Sequence, residues 1–385
     1  MQKQTILVHK GRGNPNKDGR AVNAPLMRAS TVLFTNHKSW AQRKVQRKSE
    51  RVLSYGALGT STNFELEKLL CALEGGYRAS LYPTGLAALA MVLLNYAEVG
   101  AHFLITDGIY EPVREIDSLF LSKIGVEVEY LKADASDIAQ KLRPNTKLLL
   151  CESPGSVLYE IIDLPKVSAI AHANGTVVAI DSTYSSSYLN QSLALGADIS
   201  VVAATKYLGG HSDLTMGAII VNEKEWKNFN KLPEVLGFTA SPDDAYLVLR
   251  GARSLDVRLE RHEKNADKVV EFLLAQPKVA KIYYPKLSTH VGHEIFMRDF
   301  SGTNGMITIA LDKSVSREGV DRFFDALSLF GIGASWGGFE SLAMIAKPPR
   351  SFIDVDGLGT LIRFSIGLEN VDDIIADLKR GFDVI

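Results

Sequence analysis

Residues 199–213 read ISVVAATKYLGGHSD, an apolar run that ends in Thr205-Lys206 and passes straight into a glycine-rich turn. Its Val, Ile and Ala content fits a short strand covered on both faces. A lysine delivered at the end of such a strand is hard to bury as an ammonium unless its charge is removed or used. Two readings stay open on this segment alone. The lysine reaches water along its aliphatic stem, or it joins a carbonyl carbon as a Schiff base.

Working outward, similar apolar runs stand at 102–106, 126–131, 147–151, 177–181 and 216–221, separated by helical stretches or long connections. Such runs with crossover-length connections predict an α/β fold with a mostly parallel, doubly wound sheet. A helix precedes them, with Thr62 and Glu65 as a capping pair, Leu66, Leu69, Leu70 and Leu73 on one face, and Gly75-Gly76 as its stop. Ser241-Pro242 opens a helical pattern predicted to run unbroken to about Gln276. Strands near 279–284, 305–311 and 361–366 and helices near 317–328 and 371–384 then make a smaller α+β unit. The first fifty residues read as a loop-rich arm with a basic, solvated helix over 40–51. The predicted organisation is an arm at 1–54 that contacts a neighbouring subunit, a large domain at 55–240, and a linker helix with the smaller domain at 241–385.

The 385 residues, 46% apolar and 23% charged, suffice for a full core and exclude wholesale disorder. With 43 Lys+Arg against 44 Asp+Glu, the net charge of −1 argues against nucleic acid as the main partner. The longest apolar stretch, AALAMVLL at 87–94, falls well short of a membrane span. The N-terminus shows no secretory pattern, so the expected address is the cytoplasm. Cys71 and Cys151 are the only cysteines, in no metal-ligating cluster, and read as reduced core residues.

Two further segments bear chemistry. VVAID, 177–181, leaves Asp181 at the carboxyl end of a strand, where open α/β sheets bind ligands. Such an anion suits a protonated pyridine nitrogen, although an Asp there also serves as a turn former. In YPTGLAALAMVLL, 82–94, Gly85 opens an apolar helix whose free N–H groups favour a phosphate. Phosphate seat, pyridinium partner and lysine are together the contacts that pyridoxal 5'-phosphate requires.

ATKYLGGHSD at 204–213 resembles the cofactor-lysine motif of the Cys/Met-metabolism PLP-dependent enzymes of fold type I. CESPGS at 151–156, GHEIFMRDFSG at 292–302, SWGGFESL at 335–342 and GTLIRFSIGLENVDDIIADL at 359–378 are similar to segments of its β-lyase branch. The resemblance implies that Lys206 holds the cofactor and moves protons, Asp181 binds the pyridine nitrogen and Tyr110 stacks on the ring. It also implies that the Gly85 and Leu86 N–H groups and the Thr205 hydroxyl take the phosphate, while Tyr55 reaches in from a neighbouring subunit. Arg363 would grip the substrate α-carboxylate, with Ser335 and Trp336 lining that side. The implied activity is carbon–sulfur β-elimination of an amino-acid thioether, with cystathionine giving homocysteine, pyruvate and ammonia in methionine biosynthesis. The implied assembly is a homo-oligomer, a dimer of dimers, with neither membrane nor nucleic acid as partner.

Three positions depart from that pattern. Ala57 and Leu58 stand where arginines are expected after Tyr55, and Ala203 where a serine is frequent. The basic residues Arg43, Arg47, Lys48 and Arg51 are candidates to compensate. The rivals are a γ-synthase or γ-lyase of the same family, a broader cysteine-conjugate lyase, a nicotinamide enzyme, and a PLP-fold protein without activity. No GxGxxG follows an early strand, which weighs against the nicotinamide enzyme.

Overall fold

The computed structural model describes residues 1–13, 19, 21–47, 49–229 and 232–385. Most of the loop predicted over 11–20, and Lys48, lie outside the described residues.

Two sheets organise the chain. The first contains β1 (Arg78–Tyr82), β2 (His102–Thr106), β3 (Glu127–Leu131), β4 (Thr146–Glu152), β5 (Val177–Asp181), β6 (Ile199–Ala203) and β7 (Gly217–Val221), in the order β1-β7-β6-β5-β4-β2-β3. From β3 through β6 every pairing is parallel, whereas β7 runs antiparallel to both β6 and β1. The apolar runs are continuous because both faces are covered. Phe103, Ile105, Leu148 and Leu150 pack to one side, and Leu104, Leu149, Cys151 and Val178 to the other.

The second sheet contains β8 (Val279–Tyr283), β9 (Met306–Leu311), β10 (Gly331–Ile332), β11 (Leu342–Ala346) and β12 (Leu361–Ser365), ordered β10-β11-β12-β9-β8. Only β10–β11 is parallel. One face carries Ile307, Ile309, Ile362 and Phe364 into a core shared with helices Leu255–Leu274, Arg317–Ala326 and Val371–Phe382.

Several local expectations need correction. The helix Ser61–Glu74 is capped by Thr60 and Asn63, not by Thr62 and Glu65. Thr62 is spent instead on the backbone of Pro25 and Met27, and Glu65 on Lys68 and the Gly13 N–H. The pattern after Ser241 forms two helices, Pro242–Ala252 and Leu255–Leu274. They part where Gly251 is pressed against the carbonyls of Leu208 and Gly209 and Arg253 turns aside to donate to Leu7, Lys10 and Gly11. The basic helix starts earlier, at His37–Gln46, because Asn36 and Ser39 form a capping box. Strands β1, β10 and β11 and the helix Lys3–His9 escaped notice in the sequence. That first helix seats a fully buried Leu7 among Leu66, Leu69 and Leu70 of its own chain. Both cysteines are free thiols, pushed up to about 12 by burial.

Glycine sets one approach that matters for the site. A Cβ on Gly217 would stand 2.3 Å from the Thr84 carbonyl oxygen, so its absence lets β7 lie against the start of the helix Gly85–Tyr96. Gly217→Ala is therefore expected to lower stability by roughly 1–3 kcal/mol, the usual penalty of overpacking. Urea denaturation checks this, and an unchanged midpoint would show that the helix yields freely.

Candidate active site

The parallel strands bring their carboxyl ends to one edge. Glu152 of β4 is in register with Asp181 of β5, and Asp181 with Val201 of β6. Beyond β6 the chain turns at once: the Lys206 N–H returns to the Ala203 carbonyl at 3.1 Å, which carries the lysine past the sheet edge.

Segment Ser335–Gly337 crosses from the second sheet directly over that turn. A Cβ on Gly337 would meet the Tyr207 backbone nitrogen at 2.8 Å, and only glycine readily permits the contact at its φ of 84°. Ser335 adopts a left-handed φ of 76°, an unusual conformation for a residue with a side chain. In that pose its hydroxyl accepts from Lys206 Nζ at 2.7 Å, and its carbonyl accepts from Arg363 Nη2 at 3.0 Å. Lys206 Nζ also lies 5.2 Å from the centre of the Trp336 ring, which leans on Tyr207.

Two cations thus share one residue. Among the described residues, no carboxylate lies within ion-pair distance of Lys206 or Arg363. Burial, and then the Arg363 charge, bring the Lys206 amine down to about 8, against a smaller opposing pull from Asp181. Burial likewise lowers Arg363, partly offset by Tyr159 and Tyr110.

The anionic side is built at the strand ends. Buried Asp181 accepts from both the N–H and the hydroxyl of Thr183, and the latter also receives the Ala203 N–H. Desolvation raises the Asp181 carboxyl, while the Thr183 bonds and the Lys206 charge pull it back. Tyr110 is half-exposed, with its N–H donated to Glu152 Oε2 at 2.6 Å. Its phenol is raised by burial and then by Asp181.

Gly85 and Leu86 open the helix Gly85–Tyr96, capped by Thr84, whose hydroxyl accepts from the Ala87 N–H at 3.0 Å. First-turn N–H groups have no partner one turn back and attract an anion. Packing seats this end, since a Cβ on Gly85 would come within 2.7 Å of Ala203 Cβ. The Thr205 hydroxyl donates to the Met216 carbonyl and accepts its N–H, tying the lysine turn to the chain entering β7.

Tyr55 stands apart from this cluster. It lines a cavity of about 330 Å³ with Trp40, Arg43, Lys44 and Arg47. Ala57 and Leu58 follow in a single 3₁₀ turn, Gly56–Leu58. Of the cations considered as replacements, Arg51 is engaged by Glu67 and the Ala79 carbonyl, and Arg47 by Glu234. Arg43 keeps its place on the Tyr55 cavity.

Lys206, Asp181, Tyr110, Arg363, Ser335 and Trp336 therefore converge within one chain, with Thr205 joined through its backbone, whereas Tyr55 does not. Glu152 escaped the sequence reading, although KLLLCE ends a buried strand in an acid just as VVAID does.

Known proteins resemble the chain over nearly its whole length. Residues 4–383 match the family described as Cys/Met metabolism PLP-dependent enzyme. A cystathionine beta-lyase from Bordetella avium is 41% identical over 98% of this chain and 97% of its own length. Cystathionine beta-lyase MetC from Escherichia coli is 38% identical over 98% and 97%. The crystal structure of a cystathionine gamma-lyase from Lactobacillus plantarum complexed with L-serine superposes with a TM-score of 0.90 at 27% identity, covering 100% of this chain and 99% of that one. The chain belongs to the Cys/Met metabolism PLP-dependent enzymes.

Proposed function

We propose that the chain is a cystathionine β-lyase, which with one water converts L-cystathionine to L-homocysteine, pyruvate and ammonia. The observation that carries this reading is the pair of partly buried cations, Lys206 and Arg363, each without a carboxylate among the described residues, on either side of Ser335. A partly buried guanidinium left without an acid is suited to an incoming carboxylate, and a lysine brought down to about 8 is suited to accept a proton near neutral pH. Relatives at 38–41% identity that bear the β-lyase name support the choice of reaction.

The donor set fits pyridoxal phosphate. Lys206 would hold it through Nζ, Asp181 would pair with the pyridine nitrogen, and Tyr110 would support the ring. The Gly85 and Leu86 N–H groups would receive the phosphate, joined by the Thr205 hydroxyl were it to turn from Met216. When bound, the cofactor supplies an electron sink that acidifies the substrate Cα–H bond.

The protein's own groups do the rest. Arg363 takes the α-carboxylate in a two-pronged grip, its remaining N–H bonded to the Ser335 carbonyl. Trp336 closes the side next to the amine. The Lys206 amine removes the Cα proton, and Lys206 or Tyr55 returns a proton to the departing thiolate, which prevents its recapture. The Thr183 bonds favour the ionised form of Asp181, the form that a protonated ring nitrogen would need.

Tyr55 acts in this scheme from a neighbouring subunit, so the assembly is at least a dimer, with a dimer of dimers as the full form. The arm supports this, since Val22, Leu33 and Val45 are 69%, 91% and 66% exposed. Such apolar side chains gain by burial against a partner. The cytoplasm is the proposed address; no helix among the described residues is long and apolar enough to cross a membrane.

Release of pyruvate and thiol from cystathionine, compared with simple cysteine thioethers, tests the activity directly. Lys206→Ala should lower its rate by roughly 10²–10⁴-fold, the range of acid–base catalysis, with the fold intact. Thiol release without pyruvate would point to γ-elimination and overturn the reading. Sedimentation should find no active monomer; full activity at monomer mass would contradict the role given to Tyr55.

The lysine also predicts a pH signature in the cofactor-free protein. Its folded value, about 8, lies below its ordinary 10.5, so the unfolded chain binds more protons between the two. That difference makes stability rise with pH across this window. Melting curves should show the gain in the apoprotein and its loss in Lys206→Met; identical pH dependence in both would rule out the burial argument.

A further inference from the structure

Glu152 has no part in the scheme above, yet its carboxyl group bonds two pieces of the site and its strand sets it beside a third. Oε2 accepts the Tyr110 N–H at 2.6 Å, Oε1 stands 2.7 Å from the Ser156 hydroxyl, and the β4–β5 register places the residue beside Asp181. The loops it joins are closely apposed. A Cβ on Gly155 would fall 3.4 Å from Gly108 Cα, and the Ser156 N–H donates to the Gly108 carbonyl at 2.8 Å. Arg350, its side chain fully buried, closes the far side by pairing with Glu160 at 3.0 Å and donating to the Ser156 carbonyl at 2.6 Å.

Tyr110 needs such a hold. It directly precedes Glu111 and the proline-led helix Pro112–Leu119, its carbonyl receives the Val113 N–H, and its ring is half-exposed. Packing alone does not confine the ring, so its place follows from the backbone.

We propose that Glu152 is the positioning residue of this site, a carboxyl group that places the Tyr110 ring by holding the Tyr110 N–H. The inference rests on the reading above that lays Tyr110 against the cofactor ring. It acts through position, not charge. The charged and titratable groups facing Glu152 are Asp181 from β5, Tyr110 from the loop after β2, and Arg350 from the segment after β11. Burial, and then Asp181, push the Glu152 carboxyl well above the usual carboxylate range. Asp181 has two Thr183 bonds and the Lys206 charge in favour of its ionised form. Glu152 Oε1 accepts from the Ser156 hydroxyl and Oε2 from the Tyr110 N–H, and a hydroxyl, which can also accept, tolerates a donor in place of Oε1. A glutamine amide reproduces both contacts without any charge.

Four holoenzyme variants separate the possibilities, read by the dissociation constant of pyridoxal phosphate and by the visible circular-dichroism band that reports the seating of the bound ring. Glu152→Ala should weaken binding by about tenfold and alter the band, the loss of one hydrogen-bonded contact, while Glu152→Gln stays within about twofold of the wild type. Tyr110→Ala, which keeps the backbone N–H, should weaken binding similarly, and adding Glu152→Ala to it should cost less than about twofold more. If Glu152→Ala fails to fold, Glu152→Asp, one methylene short of the Tyr110 N–H, takes its place. A glutamine variant as weak as the alanine variant would show that charge acts, and additive losses in the double variant would show that Tyr110 is not the route; either overturns the proposal. Unchanged affinity in Tyr110→Ala alone would instead remove Tyr110 from the cofactor ring, and the proposal with it.

Discussion

Lys206 and Arg363 repel one another inside the protein, and Ser335 lets both stay where they are by offering its hydroxyl to one and its carbonyl to the other. Desolvation and like charge work in the same direction on the lysine, so the energy that disfavours its ammonium is stored in the folded state. That strained arrangement needs a stiff frame. The frame is the contact between the two sheets, where Gly337 lies on the Lys206–Tyr207 backbone and Arg363 comes from the middle of an antiparallel ladder, opposite Met344 and Thr308. Neither sheet alone holds the pair.

The opposite side of the site obeys a different rule. Parallel strands end together, so residues that close neighbouring strands become neighbours in space without any sequence proximity. Asp181 and Glu152 meet in this way, and their hydrogen bonds differentiate them: Thr183 serves the first, and Ser156 with the Tyr110 backbone serves the second. Burial raises both carboxyl groups, Glu152 well above the usual carboxylate range, while the Thr183 bonds and the Lys206 charge pull Asp181 back.

The large sheet was legible because five of its strands are nearly continuous apolar runs covered on both faces, a signal that survives without context, and β3, at the edge, alternates Glu with apolar residues. β1 was missed since RASLY mixes a charged residue with small ones, and β10 is only two residues long. The capping of the helix Ser61–Glu74 was misplaced by a motif two residues out of step, because Thr62 had the right chemistry but belonged to a contact with the arm. In the site, Lys206 and Asp181 could be read from strand ends, where burial and charge conflict visibly. Arg363 and Ser335 could not be derived from spacing, since the second sheet brings them in from more than a hundred residues away; resemblance named them. Glu152 carried the same strand-end signature as Asp181 and was passed over within a segment valued only for its likeness to relatives.

The two cysteines acquire a meaning beyond packing once the proposed product is a thiol. A thiol-releasing enzyme works amid a nucleophile that exchanges with any accessible disulfide or oxidised sulfur on its own surface. With both thiols held near 12 by burial, neither supplies an appreciable thiolate at neutral pH. The chain's two thiols thereby offer little nucleophile to the chemistry of the proposed product.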